Sequence, residues 1–352
     1  MHSSYPTNVK YIDFSHLILL SWHICNASIV DLVKLSTIVT PCKLHKVITV
    51  SEFFILSTCN RIEIYIYSTT PREILEQTKQ FISKEYPNSK NIYNPCEYLE
   101  GLQVYIHLAK VTSGLNSLAI GEYQIQGQVK ASYKNAISNK YIGRYLIPLI
   151  ESALRTGKRV RSETSITHKS ASLSSLAIDI ILQVNKPKQE LPILIVGTGK
   201  MCNLAAEYFV QMGYKTIIFF SNEPDKRETI RMKYKALVLP ISELTEKNKE
   251  NNIIFSAVST DTPRIYLKSL ERNRSKFSII DLSIPKYILG SDIDTSYSYL
   301  LDMEGIQKIA PDYLPDSQSE INKCEYIIHE EINRFVLDNK RRRALNISQS
   351  NI

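Results

Sequence analysis

Long apolar runs are missing from this 352-residue chain. No stretch approaches the ~20 residues that a membrane-spanning helix needs. The short run Ile18 to Trp22 follows Asp13 and His16 where a signal peptide would carry a basic segment, so neither a span nor a leader is expected. Cysteine is sparse and scattered, with six residues and no C-x-x-C pair. That argues against a disulfide framework or a structural zinc site and points to a reducing, cytoplasmic setting. Internal repeats are absent too, so a repeat architecture is not expected.

What is present is the composition of an ordinary globular protein, 43% hydrophobic and 22% charged, long enough for two or three domains. A net charge of +8 is compatible with a polyanionic partner such as a nucleic acid.

The opening segments alternate between strand and helix signals. Strands are expected at Leu17–Trp22, Phe53–Ser57, Ile62–Tyr67 and near Asn91–Asn94. Helices are expected over Ser28–Ile38 and after Thr70, with Thr70 as N-cap, Pro71 at the first helical position and Glu73 in the first turn. This β-α-β-β-α-β order is the split βαβ, ferredoxin-like arrangement. Residues 101–183 carry helical periodicity, as in the stripe Leu102, Tyr105, Ile106, Ala109, interrupted by Gly114 and Gly121. Lys186 to Glu190 is a polar linker. Beyond it a strand (Leu191–Val196), a Gly197-Thr198-Gly199 turn, a helix closed by Gly213 and a strand at Thr216–Phe220 give the β-turn-α-β context of a Rossmann-type α/β domain. Strands at Asn252–Ser256 and Phe277–Leu282 extend it. From Ser317 one long amphipathic helix is expected, ending in Lys340-Arg341-Arg342-Arg343.

The most informative residues are Ser57-Thr58-Cys59-Asn60-Arg61, a tight turn between two β-branched runs. A hairpin tip is exposed and held by its strands, and suits chemistry. A neighbouring guanidinium favours the reactive thiolate of a cysteine, and Arg61 can either do that or grip a carboxylate bidentately. A small buried hydrophobe is the other reading of Cys59.

This run, continued through Ile62-Glu63-Ile64-Tyr65, and the segment His107 to Gln128 (H-L-A-K-V-T-S-G-L-N-S-L-A-I-G-E-Y-Q-I-Q-G-Q) together resemble the signatures of glutamyl-tRNA reductases. Similarity continues in order through Gly157-Lys158-Arg159-Val160-Arg161-Ser162-Glu163-Thr164, the turn at Gly197 and Asp281-Leu282-Ser283-Ile284-Pro285. The resemblance implies an α+β catalytic domain over 1–165, an NADP(H)-binding Rossmann domain over 170–312, and a long helix with a basic tail over 316–352. It also implies the reaction: reduction of glutamyl-tRNA to glutamate-1-semialdehyde through a thioester, the first step of five-carbon tetrapyrrole synthesis.

On that resemblance Cys59 and His107 are catalytic. Thr58, Asn60, Arg61, Ser117, Glu122, Tyr123, Gln124 and Gln128 contact the substrate, with Arg61 on its carboxylate and Glu122 on its α-amino group. Gly197, Thr198, Gly199, Lys200, Met201 and Cys202 bind the cofactor, and no metal is implied. The cofactor is NADPH, with NADH left open, because Glu223 stands where the family's phosphate-binding arginine should and Lys226 or Arg227 would have to replace it. Implied partners are glutamyl-tRNA and the downstream glutamate-1-semialdehyde aminomutase, with no membrane. Other departures are Asn116 for aspartate, Tyr123 for proline and a degraded His23-Ile24-Cys25-Asn26-Ala27 run. Only Ala344 to Ile352 follow the basic cluster, so the family's dimerisation domain is largely missing and a monomer or weak homodimer is expected. The rival reading is a degenerate homologue that binds tRNA or a partner enzyme without catalysis.

Overall fold

A computed structural model describes residues 11–23, 27–50, 52–58, 60–87, 92–117, 120–166, 172–184, 189–247, 252–258, 262–270, 277–290, 298–309 and 318–350. They form two units, Met1–Ser170 with Asp316–Ile352, and Ala171–Pro315.

The first unit begins β1 (Leu17–His23), α1 (Ile29–Ile38), α2 (Pro41–Leu44), β2 (Glu52–Ser57), β3 (Arg61–Tyr67), α3 (Pro71–Glu85) and β4 (Glu97–Glu100). The strands form one antiparallel sheet in the order β2-β3-β1-β4, which is the split βαβ topology expected. The fourth strand lies further along than Asn91–Asn94. The carbonyls of Ile92 and Asn94 instead accept from the indole of Trp22, both at 3.0 Å. Pro95, which has no N–H to donate, separates them from β4.

Next come α4 (Leu102–Thr112), α5 (Gln124–Ser138) and α6 (Leu146–Glu163). They cover the sheet face that carries Leu17, Leu19, Phe54, Leu56, Tyr65 and Tyr67. Buried Glu52 of β2 accepts from the backbone N–H groups of Tyr145 and Leu146 (3.0 and 2.7 Å), satisfying donors at the start of α6. Gly157 lets α6 approach α4 closely, because a Cβ there would lie 2.4 Å from the Thr112 carbonyl oxygen. Arg161, one turn on, donates from Nη1 to that same oxygen at 3.0 Å.

The second unit contains α7 (Leu173–Val184), β5 (Ile193–Val196), α8 (Lys200–Gln211), β6 (Ile217–Phe220), α9 (Pro224–Tyr234), β7 (Leu237–Leu239), α10 (Leu244–Lys247), β8 (Asn252–Ser256), β9 (Ile265–Tyr266), α11 (Leu267–Leu270), β10 (Phe277–Asp281), β11 (Ile288–Leu289), β12 (Ser298–Asp302) and α12 (Met303–Ile309). Its main sheet is wholly parallel in the order β12-β10-β8-β5-β6-β7. This is the doubly wound order, in which ligands bind beyond the carboxyl ends of the strands where the winding reverses, here between β5 and β8. Buried Asp281 accepts from Ser256 Oγ and from the backbone N–H groups of Ser283, Tyr287 and Ile288. The Asp281-Leu282-Ser283 run thereby pins its own loop.

The chain then returns to the first unit as α13 (Gln318–Ser350). Its stripe Cys324, Ile327, Ile328, Ile332 and Phe335 is buried in the core shared with α4 and α6. Arg159 of α6 pairs with Glu330 and Glu331 (2.7 and 2.9 Å), and Asn339 bonds both backbone groups of Ile12 at 2.8 Å. The basic cluster Lys340–Arg343 is not the helix end expected, since the helix continues to Ser350. Among the described residues no helix is long and apolar enough to cross a membrane.

Candidate active site and nucleotide cleft

Period-2 alternation places Arg61, Glu63 and Tyr65 on the core-facing side of β3, beneath α4. Arg61 is 4% exposed, Glu63 0% and His107 6%, so charged groups here must satisfy one another. Oε1 of Glu63 accepts from Nη1 of Arg61 at 3.0 Å and from Nε2 of His107 at 2.9 Å, while Oε2 accepts from the Tyr65 hydroxyl at 2.6 Å. His23, the last residue of β1, lies 3.7 Å from Glu63 and bonds Ser21 Oγ at 2.6 Å. Glu97 of β4 closes the outer side, 3.6 Å from Nδ1 of His107 and 3.8 Å from His23.

The charge states follow from these contacts. Burial pushes the Glu63 carboxyl up, but the Arg61 guanidinium and the two imidazoles outweigh it, holding the group anionic and well below the usual carboxylate range. Burial, reinforced by Arg61, pushes His23 down to about 4. Burial and then the Glu63 charge raise Tyr65 well above its ordinary value. Ligand atoms of His23, Glu63 and His107 lie within 4.8 Å of one another, a donor set that suits a cation. The guanidinium 3.0 Å from the same carboxylate oxygen opposes one.

The hairpin tip sits directly above this network. Thr58 Oγ1 accepts from the backbone N–H groups of Asn60 and Arg61, both at 3.2 Å, and the Thr58 N–H donates to the Arg61 carbonyl at 2.9 Å. Nη2 of Arg61 donates to the backbone carbonyl of Asn116. That bond joins the hairpin tip to the Ser113–Ser117 loop, whose base is closed by the Gly121 N–H on the Gly114 carbonyl at 3.0 Å.

In the second unit a cavity of about 470 Å³ opens beyond the carboxyl ends of β5, β6 and β8, lined among others by Gly197, Gly199, Ser221, Glu223, Lys226 and Val258. Gly197 has φ +109°, and a Cβ there would lie 2.8 Å from the Ala257 carbonyl oxygen and 3.0 Å from Cys202 Sγ. Only glycine therefore fits the turn that aims the α8 N-terminus at the cavity, an arrangement suited to a pyrophosphate. Cys202, in place of the third glycine of the usual motif, fills the space between α8 and β5, with Sγ 3.4 Å from the Val196 carbonyl. Burial pushes its thiol up to about 12, so it packs and does not react.

The family model "Glutamyl-tRNAGlu reductase, N-terminal domain" matches residues 20–164, and that for "Shikimate / quinate 5-dehydrogenase" matches residues 181–309. Glutamyl-tRNA reductase of Thermodesulfovibrio yellowstonii is 29% identical over 304 residues, covering 81% of this chain and 70% of the relative. That of Natranaerobius thermophilus is 30% identical over 306 residues, covering 83% and 66%. The chain belongs to the glutamyl-tRNA reductase family. The solved glutamyl-tRNA reductase of Methanopyrus kandleri shares the fold, with a TM-score of 0.50 at 21% identity, covering 93% of this chain and 81% of that one. The second unit is accordingly an NAD(P)-type nucleotide-binding domain.

Against the residues that the reductase signatures single out, the structure brings Thr58, Asn60 and Arg61 together at the tip and links them to His107 through Glu63. Cys59 lies outside the described residues. Arg61 points inward, with Nη1 on Glu63 and Nη2 on Asn116, in place of the open carboxylate grip expected. Ser117 and Glu122 are half-buried on the loop leading away from Asn116; exposed Tyr123 caps α5, Gln124 opens it and exposed Gln128 follows one turn later. Lys200 and Met201 form the first turn of α8 beside Thr198 and Gly199. Sequence reasoning gave no role to Glu63, His23, Tyr65 or Glu97. The available signal was an acidic residue on the inward side of an otherwise apolar strand, flanked two residues either way by Arg61 and Tyr65.

Proposed function

We propose that this chain reduces glutamyl-tRNA to glutamate-1-semialdehyde with NADPH, through a thioester on Cys59. The observation that carries the reading is the joining of the two signature segments by the Arg61–Asn116 bond above a buried His107–Glu63–Arg61 network. In this reading the Cys59 thiolate attacks the ester carbon, the bond to the ribose oxygen breaks, and His107 supplies the proton that the departing oxygen needs. Bound nicotinamide supplies the hydride that converts the thioester into a thiohemiacetal. Collapse of that adduct breaks the carbon–sulfur bond, releasing the aldehyde and restoring the thiol. Arg61 acts from below, as a fixed positive charge that favours the thiolate and holds the loop carrying Ser117. Glu122, Gln124 and Gln128 receive the glutamyl group.

The cofactor assignment rests on Lys226. Its Nζ pairs with Glu223 at 2.6 Å at the cavity rim, offsetting the acidic charge, while Arg227 is turned onto the Ser221 carbonyl at 2.7 Å. Lys226, not Arg227, is thus the cation available to a 2′-phosphate. The reactive aldehyde product makes the aminomutase that consumes it the natural partner, in the cytoplasm. Burial of the α13 stripe within its own unit supports a monomer or weak homodimer. Single-turnover mixing of the protein with glutamyl-tRNA and NADPH tests the reading: deacylated tRNA and the aldehyde should form stoichiometrically, and intact glutamyl-tRNA after mixing refutes it.

A further inference from the structure

A second cavity of the first unit, about 350 Å³, runs along the outer edge of β2 between α1, α2 and α5. We infer that it receives the 3′-terminal adenosine of the aminoacyl-tRNA, an inference that rests on the function proposed above.

Position favours this occupant. Phe53, Ile55 and Ser57 of β2 line the cavity, and Ser57 is two residues from Cys59, within ~7 Å along the chain. The ester attacked at Cys59 is borne by the ribose of the terminal nucleotide, so its base must lie within a few bond lengths of the thiol. The α5 side of the cavity, formed by Ala131, Ser132 and Asn135, continues the helix face of Gln124 and Gln128 at i, i+4, i+7, i+8 and i+11. The residues assigned to the glutamyl group and those lining the cavity thus form one stripe.

The lining chemistry favours it as well. Phe53 and Tyr141 lie side by side in the lining, ring centroids 4.9 Å apart, and His45 stacks on Phe53 at 6.1 Å. Phe53 is 2% exposed and covered by these neighbours, so the surface open to a base is the half-buried Tyr141 ring, which can hold it by stacking. Ser36, Ser132 and Asn135 supply hydroxyl and amide groups for a purine edge. The volume falls at the small end of ligand pockets, ~300–1,000 Å³, and suits a single nucleoside. Charge favours the same occupant: α5 has no acidic residue, and its exposed Lys130 and Lys134 flank the lining positions where the preceding phosphates would pass.

The deciding measurement is protein-observed NMR with cytidylyl-3′,5′-adenosine, a dinucleotide with the sequence of the tRNA end. The amides of Ala131, Ser132 and Asn135 should shift saturably. No shift there, or shifts confined to the Gly197 turn, overturns the inference whatever the enzyme's activity. As a second arm, Ala131→Trp fills the cavity from an exposed helix position. A stacked base is worth ~1–3 kcal/mol, so this variant should lower the preference for glutamyl-tRNA over glutamyl methyl ester by about fivefold or more. An unchanged preference contradicts the inference. A dinucleotide that binds at α5 to a protein unable to reduce glutamyl-tRNA would refute the proposed reaction while leaving the pocket standing.

Discussion

Nε2 of His107 lies 2.9 Å from Oε1 of Glu63, the same oxygen that takes Nη1 of Arg61 at 3.0 Å. One buried carboxylate therefore fixes both the ring proposed as proton donor and the guanidinium beside the turn that carries Cys59. With Nε2 committed to Glu63, Nδ1 of His107 faces the more exposed Glu97 at 3.6 Å. Glu63→Gln leaves the Arg61 charge buried without its counter-ion, and breaking such a pair costs about 3–5 kcal/mol. Urea unfolding should show that loss, and the folded fraction should have a reduced kcat with KM little changed. Stability and kcat both at wild-type values would show that the network is not needed.

The depressed value of His23 predicts acid sensitivity. Folded His23 binds its proton with a pKa of about 4, against ~6.5 in the unfolded chain. Between those values the unfolded chain binds more protons, so stability falls as the pH drops from 6.5 towards 4, by on the order of 2–3 kcal/mol. Glu63, also held below its unfolded value, extends the loss at lower pH. In His23→Asn the slope of stability against pH between 6.5 and 4 should be clearly shallower; the wild-type slope in that variant contradicts the assignment.

For the cofactor, Lys226→Ala should raise the KM for NADPH several-fold with little effect on NADH, because the cation that meets the 2′-phosphate is gone. Glu223→Gln should act oppositely, improving NADPH by removing a competing charge 2.6 Å from Nζ of Lys226. Comparing kcat/KM for both nucleotides across the variants decides the point, and an NADH preference in the unaltered protein would make Glu223 a ribose ligand.

Two glycines on helices should respond in opposite directions to alanine. At Gly157 a Cβ would meet the Thr112 carbonyl oxygen at 2.4 Å, whereas at Gly127 it meets nothing within 4 Å. Gly157→Ala should destabilise by at least ~1–3 kcal/mol as α6 is forced from α4. Gly127→Ala should stabilise by ~0.5–1 kcal/mol through helix propensity. Thermal melts of equal sign for both would contradict the packing described.

The succession of strands and helices in both units could be read from the sequence because alternation and turn residues act locally. Ile62 to Tyr67 announced β3, and Gly197 and Gly213 bracketed α8. The fourth strand was misplaced because its register depends on the bonds of Trp22 to Ile92 and Asn94, a pairing of distant residues that no local period encodes. Arg61 was legible as a candidate site residue, but not its direction. Only the β3 alternation together with α4 above it shows that the guanidinium meets Glu63 and Asn116 before it can meet a substrate. The role of Glu63 was hidden for the same reason, since a carboxylate on a strand becomes informative only once its face is known to be buried.

The most direct test of the account is rapid acid quench of the protein with glutamate-labelled glutamyl-tRNA in the absence of nucleotide, comparing the unaltered chain with Cys59→Ser. The account predicts label bound to the protein through a hydroxylamine-labile thioester, released as glutamate-1-semialdehyde when NADPH is added, and no such species in Cys59→Ser. Aldehyde formation by Cys59→Ser at the unaltered rate would contradict it.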